Sequence, residues 1–580
     1  MSSVKPRPNA PRPDTSGNNP AQRARMKGRT AVHIDSVTRS RVTLLYGLTG
    51  SLLSWLALPP VGWWPLAWVA PVPWLLLVRR ELLPGRRPYA ALWFSGFAFW
   101  LGALHWLRLP HPATSLGWLA LSSYLAFYLP LFIALCRVAV HELRLSVIVA
   151  APVVWSGLEL AQSHALTGIN IATPGHSQYR WIELIQISDL CGGYGVSFVI
   201  MLIAACLARM LPLAGARRAF WPLVPAAATM AAVLGYGHFR TSGEHLRPGF
   251  KVALIQGSID TEMKADPEQA QQVHKQYLLL TDRAVQENPG LDLVVWPETM
   301  FREPLRIYTP DMYPPAGEDW TKDDLDRRAA DLKMALSYMG ERFKVPLLLG
   351  MDTVVFGPGN VRFYNSAVLV DADGKVRGRY DKMRPVMFGE YVPGATYLPW
   401  LYGLTPLDHG LNSGESPQAL SVGGVRVAPS ICFETLLPHC IRGQVAALSD
   451  AGSEPDVLVN LTNDGWFWGS SELDLHLMCG IFRAVECRKP LLIAANTGFS
   501  AVVDGDGRVL QQGPRRATEI LVHDVQLDSR KSPYVRFGDW GAGLCLACGV
   551  ALAGTGLWRR RSRRIDARGT SSNAADHSPA

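Results

Sequence analysis

Long runs of apolar residues fill the first half of the chain, whereas the second half alternates short apolar runs with polar stretches. Charged residues are almost absent from about residue 42 to 238, while residues 249–530 carry the charge density of a soluble domain. A helix needs around 20 apolar residues to cross a bilayer, and fewer when it is tilted or packed in a bundle. The pattern therefore predicts a transmembrane bundle at 42–240 and a final transmembrane helix at 539–558. About eight spans are predicted. Seven lie in the bundle, at Leu44–Leu58, Trp63–Val78, Ala90–Trp106, Leu116–Cys136, Leu145–Ala161, Gly193–Leu211 and Ala219–Tyr236, and the eighth is Gly541–Trp558.

The basic residues between the spans alternate in a way that orients the bundle. Lys and Arg concentrate in the N-terminal tail, after the second, fourth and sixth spans, and after the last span. Because Lys and Arg favour the cytoplasmic side of a membrane, this alternation predicts that residues 249–530 lie outside the cytoplasm. In a bacterium with two membranes, the chain is then a multi-pass protein of the inner membrane with a periplasmic domain. The basic tails 1–41 and 559–580 are predicted to be disordered.

Composition and cysteine usage exclude several classes of function. The net charge of +9 concentrates in the tails and between the spans, so it indicates membrane orientation rather than a nucleic-acid partner. The nine cysteines are odd in number and several lie in apolar runs, which disfavours a disulfide framework. Cys432, Glu434, His439 and Cys440 lie close together but lack the paired spacing of zinc ligands. We expect neither a metal nor another cofactor, and without an oligomerisation signal we expect a monomer.

The second half of the chain predicts a layered α/β domain at 249–530. Short β-rich runs alternate with amphipathic helices, notably Pro267–Glu287 and Leu325–Glu341, and this alternation is typical of such domains. The predicted strands are Lys251–Gln256, Leu291–Trp296, Val345–Met351, Ser366–Val370, Val425–Ile431, Val457–Leu461, Leu491–Ala495 and Ala501–Val503.

Three segments of this domain present reactive side chains. Glu298 follows an apolar run and Trp-Pro, Lys382 follows Tyr-Asp, and Cys432 follows an apolar strand and precedes Phe-Glu. A thiol is a poor nucleophile until a base such as a carboxylate takes its proton, and the charge of a lysine favours the thiolate. We expect Glu298 to be the general base and Cys432 to attack an acyl carbonyl. Lys382 and the backbone N–H of Phe433 are expected to stabilise the oxyanion.

The order Glu, Lys, Cys, with these flanking residues, resembles the nitrilase superfamily of carbon-nitrogen hydrolases. The run from Asn460 to Phe467, Asn-Leu-Thr-Asn-Asp-Gly-Trp-Phe, is also similar to that superfamily's stretch just past the cysteine. The resemblance covers residues 250–528 and implies an αββα sandwich. Glu390 and Glu434 are expected either to orient Lys382 or the second substrate, or to form a salt bridge behind the site.

Several further residues are expected to surround the reactive group. Asn463, Asp464 and Trp466 are expected to shape the pocket rim. Gln178 lies in a long loop between the fifth and sixth spans, which is either a cover over a lipid opening or a simple connector. His476 and Arg483 lie on the helix predicted after Trp466, and they are expected to be ion-paired surface groups.

A nitrilase-like domain placed between the last two spans of a bundle resembles the apolipoprotein N-acyltransferase family. The resemblance extends over residues 42–564 and implies a ping-pong reaction. The cysteine takes an acyl chain from a phospholipid and passes it to the α-amino group of the diacylglyceryl-cysteine of a lipoprotein. A site beside the bilayer suits these substrates, because extracting an acyl chain costs about 0.8 kcal/mol per CH₂. The alternatives are a membrane-tethered amidase, which would transfer the acyl group to water, and a non-catalytic lipoprotein-binding module.

Overall fold

The computed structural model describes residues 41–212, 218–260, 270–313, 321–395, 397–404, 407 and 409–575. The predicted N-terminal tail, apart from residue 41, and the last five residues of the predicted C-terminal tail therefore lie outside the described residues. The chain forms a helical part, an α/β sandwich that sits on it, and a long C-terminal helix that returns to the helical part.

Apolar helices occupy the stretches where the sequence predicts membrane spans. Three described stretches are long and apolar enough to cross a membrane, namely Thr114–Glu142, Gly193–Met210 and Trp540–Arg559, and the apolar stretch Trp64–Arg79 is shorter. The helices of this part are α1 (41–56), α2 (Val72–Arg79), α3 (Pro88–Ala103), α4 (Thr114–Leu125), α5 (Tyr128–Arg137), α6 (Val147–His164), α7 (Ile182–Ile185), α8 (Ser188–Cys191), α9 (Gly193–Met210) and α10 (Leu223–Thr241).

The C-terminal helix packs closely against α6. A Cβ atom on Gly157 of α6 would lie 2.7 Å from the backbone nitrogen of Leu546, so the glycine allows the two backbones to approach, as small residues do between membrane helices. This helix runs from Trp540 to Ala575. It therefore continues through residues 559–575, where the sequence analysis predicts a disordered tail.

The sandwich contains two sheets. Its first sheet has seven strands, in the order β13-β1-β2-β4-β5-β6 with β3 paired to β4, and its second has six, in the order β12-β11-β10-β9-β8-β7. The strands are β1 (Leu246–Gln256), β2 (Leu293–Val295), β3 (Phe301–Tyr313), β4 (Leu347–Pro358), β5 (Asn360–Val370), β6 (Val376–Asp381), β7 (Leu420–Val422), β8 (Val425–Ile431), β9 (Val457–Thr462), β10 (Leu491–Ala495), β11 (Ala501–Val503), β12 (Val509–Gln512) and β13 (Glu519–Asp528).

Helices cover both outer faces of the paired sheets. The remaining helices are α11 (Ala270–Glu287), α12 (Lys322–Phe343), α13 (Pro438–Asp450), α14 (Glu472–Cys487), α15 (Pro533–Phe537) and α16 (Trp540–Ala575). Valine and leucine side chains from both sheets form the core between them. Helices α11 and α12 pack on the first sheet, and α13 and α14 pack on the second. The predicted αββα sandwich is confirmed.

The parallel strands β8, β9 and β10 form the centre of the second sheet. Their sequences are nearly continuous apolar runs because both faces of this sheet are covered, one by the first sheet and one by helices. Two of these strands end where the sequence predicted, at Ile431 and at Ala495. The end of β8 delivers the chain directly to Cys432.

Helix α14 lies between the second sheet and the helical part. Side chains of α9, including Val196, Val199 and Ile200, belong to the same apolar cluster as Ile481 and Val485 of α14. All residues of α14 except one aspartate are buried.

The burial of α14 overturns one expectation from the sequence. The expectation that His476 and Arg483 lie at the surface is wrong, since they are 3% and 1% exposed. The reason is that the helical part covers the side of α14 that would face water in an isolated sandwich.

Candidate active site

Glu298 lies just past the end of β2, and three donors fix its carboxylate. Its Oε1 accepts hydrogen bonds from Asn365 Nδ2 at 2.7 Å and from Lys382 Nζ at 3.3 Å. Its Oε2 accepts one from the backbone N–H of Asn463 at 3.0 Å. The side chain is buried, so these contacts hold it in one orientation.

Lys382 follows β6 and is buried beside two carboxylates. Its Nζ donates to Glu390 Oε1 at 2.7 Å in addition to Glu298, and Glu390 Oε2 accepts from the backbone N–H of Val386 at 2.7 Å. Burial alone would lower the pKa of Lys382, but Glu390 and Glu298 together raise that pKa above its ordinary value. The lysine is therefore a cation, and Glu390 is the residue that holds it.

Cys432 occupies a strained turn between β8 and a short 3₁₀ helix, Cys432–Leu436. Its φ angle is 49°, in the left-handed region, which costs a non-glycine residue about 1–3 kcal/mol. Strain of this kind persists where surrounding contacts impose it, and it is common at active sites. The turn brings the cysteine to the strand end where Glu298 and Lys382 act on it electrostatically.

The resting form of Cys432 is the thiol. Burial raises the pKa of Cys432 well above its ordinary value, and the charge of Glu298 raises it further, while Lys382 and the Thr462 hydroxyl act in the opposite direction. A neutral thiol needs a base before it can attack a carbonyl. The arrangement supplies one in Glu298.

Glu434 binds backbone rather than the lysine side chain. Its carboxylate accepts hydrogen bonds from the Tyr380 hydroxyl at 2.8 Å and from the backbone N–H groups of Ile431, Met383 and Arg384 at 2.7, 2.7 and 3.0 Å. It is fully buried. Glu434 therefore ties the segment that carries the catalytic lysine candidate to the segment that carries the cysteine.

The side chain of Phe433 lies at the edge of the helical part. It packs against an apolar cluster that includes Leu58 and Trp100, and Phe467 packs against the same cluster. The turn at the cysteine is thus in contact with the apolar helices.

Of the residues predicted at the pocket rim, Asn463 contacts Glu298, whereas Asp464 is buried at 2% exposed rather than at the rim. Asn463 donates its N–H to Glu298 and accepts a hydrogen bond from Asn496 Nδ2 at 2.9 Å. Trp466 lies in the 3₁₀ helix Asp464–Phe467 and is 46% exposed, and its place at the pocket rim stays a prediction.

Gln178 lies elsewhere, because its side chain fastens the long loop to the helical part. Its Oε1 accepts from Trp68 Nε1 and its Nε2 donates to the Trp64 carbonyl, both at 3.1 Å. None of its hydrogen bonds within the described chain reaches the three reactive residues.

Three polar residues around the site, Asn365, Tyr380 and Thr462, were assigned no role from the sequence, and a fourth, His476, was expected at the surface. Asn365 contacts Glu298, and Tyr380 contacts Glu434. Thr462 lies beside Cys432, and His476 stands behind it. The sequence offered a signal for two of these residues, because Asn365 and Thr462 are polar residues that interrupt apolar runs in buried strands.

An apolar cavity lies within the helical part. Its volume is about 870 Å³ when the open solvent at its mouth is included. Leu58, Trp100 and Ala172 line the cavity and also belong to the cluster that contacts Phe433. The apolar surroundings of the cysteine turn are therefore continuous with the wall of the cavity.

One group of three potential metal ligands occurs within the part of the chain that the structure describes. Asp464, Glu472 and His476 each bring one ligand atom within 4.8 Å of the others, and all three are buried. His476 Nδ1 lies 3.1 Å from Asp464 Oδ1, the distance of a hydrogen bond. We therefore treat this group as a hydrogen-bonded network rather than as an ion site.

Family models match both parts of the chain. Residues 50–206 match the apolipoprotein N-acyltransferase N-terminal domain, and residues 251–532 match the carbon-nitrogen hydrolase family. A carbon-nitrogen hydrolase structure from Helicobacter pylori is 16% identical and aligns with a TM-score of 0.34, covering 50% of this chain and 92% of that one.

Whole-length relatives share both parts. The apolipoprotein N-acyltransferase of Rhodopirellula baltica is 33% identical over 560 residues, covering 89% of this chain and 98% of that protein. The apolipoprotein N-acyltransferase of Geobacter metallireducens is 34% identical over 541 residues, covering 91% of this chain and 97% of that protein. The chain therefore belongs to the apolipoprotein N-acyltransferase family.

Proposed function

We propose that this protein transfers an acyl chain from a phospholipid, through a thioester on Cys432, to the N-terminal amine of diacylglyceryl-cysteine lipoproteins. The observation that carries the proposal is the position of the cysteine. It lies between a buried carboxylate and lysine on one hand and an apolar cluster of the helical part on the other. Relatives that match over nearly their whole length carry the name of this activity.

In the first half-reaction, Glu298 takes the proton of the Cys432 thiol and the sulfur attacks the ester carbonyl of the phospholipid. The oxyanion that forms is stabilised by Lys382 Nζ and by the backbone N–H of Phe433, at about 3–4 kcal/mol per donor. The ester C–O bond then breaks, and Glu298 returns its proton to the departing alcohol of the lysophospholipid. The acyl group remains on Cys432 as a thioester.

In the second half-reaction, the lipoprotein amine attacks the thioester carbonyl. Glu298 accepts a proton from the attacking nitrogen, and the same two donors stabilise the second oxyanion. The C–S bond breaks, the sulfur regains its proton from Glu298, and an amide is formed. Enzyme groups are restored to their starting protonation states, and all of them come from one chain, so a monomer suffices.

Glu390 supports both steps without touching the substrate. It holds Lys382 at 2.7 Å, so the lysine remains charged and points to one place while Glu298 gains and loses a proton. This leaves Glu298 free to change its protonation state.

The apolar cavity is the proposed space for the acyl chain. Its wall shares residues with the cluster at Phe433, so a chain whose carbonyl lies at Cys432 extends into apolar surroundings. Each CH₂ that stays out of water contributes about 0.8 kcal/mol.

We further propose that the chain crosses the membrane eight times and holds the sandwich at 249–530 on the periplasmic side of the inner membrane. The alternation of Lys and Arg between the apolar stretches supports this orientation. Impermeant thiol reagents should label cysteines engineered on the exposed face of α12 in intact spheroplasts. Labelling only after lysis would reverse the orientation.

Transferase and amidase activities are separated by the fate of the acyl group. Purified full-length protein is incubated with a phospholipid labelled in its acyl chain, with and without a diacylated lipopeptide. We expect label in the lipopeptide amide for the wild type and none for Cys432→Ser. Release of most label as free fatty acid in the presence of lipopeptide would instead support the hydrolase alternative.

A further inference from the structure

A buried row of polar side chains continues behind Cys432. Strands β8 and β9 are parallel and pair Ile431 with Leu461, so the next residues, Cys432 and Thr462, are neighbours at the same sheet edge. From this position the Thr462 hydroxyl acts to lower the pKa of the Cys432 thiol, against the larger effect of burial. It also donates to Asp464 Oδ1 at 2.7 Å.

Asp464 is held in place from two sides. His476 Nδ1 lies 3.1 Å from its Oδ1, and both residues are buried, at 2% and 3% exposed. On the other side, a Cβ atom on Gly498 would lie only 2.0 Å from Asp464 Oδ2, so the glycine makes room for the carboxylate. The carboxylate therefore has one position open to it.

The charges of this network favour a donor on His476. Burial alone would lower the pKa of His476, but Asp464, Glu472 and Glu298 raise that pKa to about 9. His476 is therefore an imidazolium at neutral pH, with a proton on Nδ1 for Asp464. Glu472, one turn earlier on α14, lies 3.9 Å from the same nitrogen.

A single hydroxyl proton cannot serve Asp464 and a thiolate at the same time. In the resting enzyme the Thr462 proton points to Asp464, and the hydroxyl oxygen can accept from the thiol. Once Glu298 has taken the thiol proton, the negative sulfur competes for the Thr462 proton. Asp464 can release it because His476 still donates to the same carboxylate.

We propose that Thr462 is a further catalytic residue, whose hydroxyl accepts from the Cys432 thiol and donates to its thiolate. Asp464 and His476 are the positioning residues that set the orientation of this hydroxyl. No proton leaves Thr462, since the proton of the thiol goes to Glu298 and only the direction of the hydrogen bond changes. The inference rests on the proposed function in that Cys432 is the nucleophile.

The first test compares Thr462→Val with Thr462→Ser in full-length, detergent-solubilised protein. The rate at which phospholipid acylates Cys432 is followed by mass spectrometry, together with the pH dependence of Cys432 alkylation by iodoacetamide. Because a hydrogen bond to a charged group is strong, we expect Cys432 to be acylated about tenfold more slowly in Thr462→Val than in the wild type. The alkylation profile of Thr462→Val should shift to higher pH, while the acylation rate of Thr462→Ser should stay within about twofold of the wild-type rate.

The second test compares His476→Leu with His476→Asn, whose amide N–H can replace the Nδ1 donor. Acylation of Cys432 should also be about tenfold slower in His476→Leu, and His476→Asn should recover at least half of the wild-type rate. Thermal unfolding of each variant reports whether it is folded. If His476→Leu does not fold, the Thr462 pair decides alone.

Unchanged acylation and an unchanged alkylation profile in Thr462→Val would overturn the proposal. Equal slowing in Thr462→Val and Thr462→Ser would do so too, because it would show that packing rather than the hydroxyl matters. Failure of the wild type to form an acyl adduct on Cys432 would instead contradict the proposed function.

Discussion

The two helical layers of the sandwich occupy equivalent places in the fold but face different surroundings. On α12, buried apolar residues such as Leu332 and Leu336 alternate with exposed charges, as expected for a helix with one face in water. On α14, Glu472, His476 and Arg483 are as buried as the leucines between them. One helical layer of the sandwich is therefore the surface that packs against the helical part, while the other faces water.

Buried charges join the two parts at this surface. Arg483 donates to both carboxylate oxygens of Glu486 at 2.7 Å, and Glu486 accepts from the backbone N–H of Gly193 at the start of α9. Just after α14, Arg488 is fully buried and pairs at 2.7 Å with Asp189 of α8, a short helix in the long loop between the predicted fifth and sixth spans. The loop between the predicted fifth and sixth spans is therefore a structural connection to the sandwich.

The largest expected effect comes from breaking a buried pair on the α14 side. Arg483→Met leaves Glu486 charged and buried without its partner, so it should lower the free energy of unfolding by about 3–5 kcal/mol. The matched change Arg327→Met removes an exposed ion pair with Asp324 on α12 and should cost at most about 1 kcal/mol. Thermal unfolding of both variants measures the difference, and equal losses would contradict the contrast between the layers.

Raising the pH should weaken the α14 side selectively. The folded pKa of His476, about 9, is above its ordinary 6.5, so its protonated form stabilises the fold fully below pH 6.5. This contribution, about 3 kcal/mol, is lost as pH rises through 9. The stability difference between wild type and His476→Asn, measured from pH 6.5 to 9.5, should shrink with pH. A constant difference would show that His476 carries no charge in the fold.

Matched methionines extend the comparison to uncharged side chains. Met478 of α14 is 2% exposed, whereas Met334 of α12 is 63% exposed. Met478→Gln buries an amide and should lower the free energy of unfolding by about 2 kcal/mol. Met334→Gln should change it by less than about 0.5 kcal/mol. Thermal unfolding midpoints report both, and a large loss for Met334→Gln would mean that α12 is also covered.

Filling the cavity should have the smallest effect. It should change the acylation rate rather than the stability contributed by the two helical layers. Ala67 lines the cavity and is buried, so Ala67→Phe takes up space proposed for the acyl chain. We expect about tenfold slower acylation by a long-chain phospholipid, which corresponds to a loss of about 1.4 kcal/mol of favourable interaction with the chain. A short-chain donor should be less affected, and Leu119→Phe, at a 42% exposed position, is the control. Equal slowing with both donors would place the chain elsewhere.

Much of the sandwich could be predicted because its central strands are buried on both faces. Continuous apolar runs located β8, β10 and β11 to the residue. Strands β3, β6, β7, β12 and β13 were not predicted. Strand β3 contains two prolines and β13 contains Glu519, Asp524 and Asp528, so neither shows the apolar run that marks a buried strand.

The site was predictable in its reactive residues but not in its supports. Glu298, Lys382 and Cys432 each follow a recognisable segment, and the fold brings them together. The contact of Glu434 with Tyr380 and with backbone N–H groups depends on a turn whose shape is set by the whole fold. The burial of His476 depends on helices that lie about 280 residues earlier in the chain, which no local pattern reports.

The most direct test of the account is the covalent intermediate itself. Purified full-length protein is incubated with phospholipid and digested, and each cysteine peptide is examined by mass spectrometry before and after addition of a diacylated lipopeptide. We expect one acyl group on Cys432, which disappears as the lipopeptide gains an amide-linked chain, and no adduct in Glu298→Gln. An acyl group on another residue, or transfer without any adduct on Cys432, would contradict it.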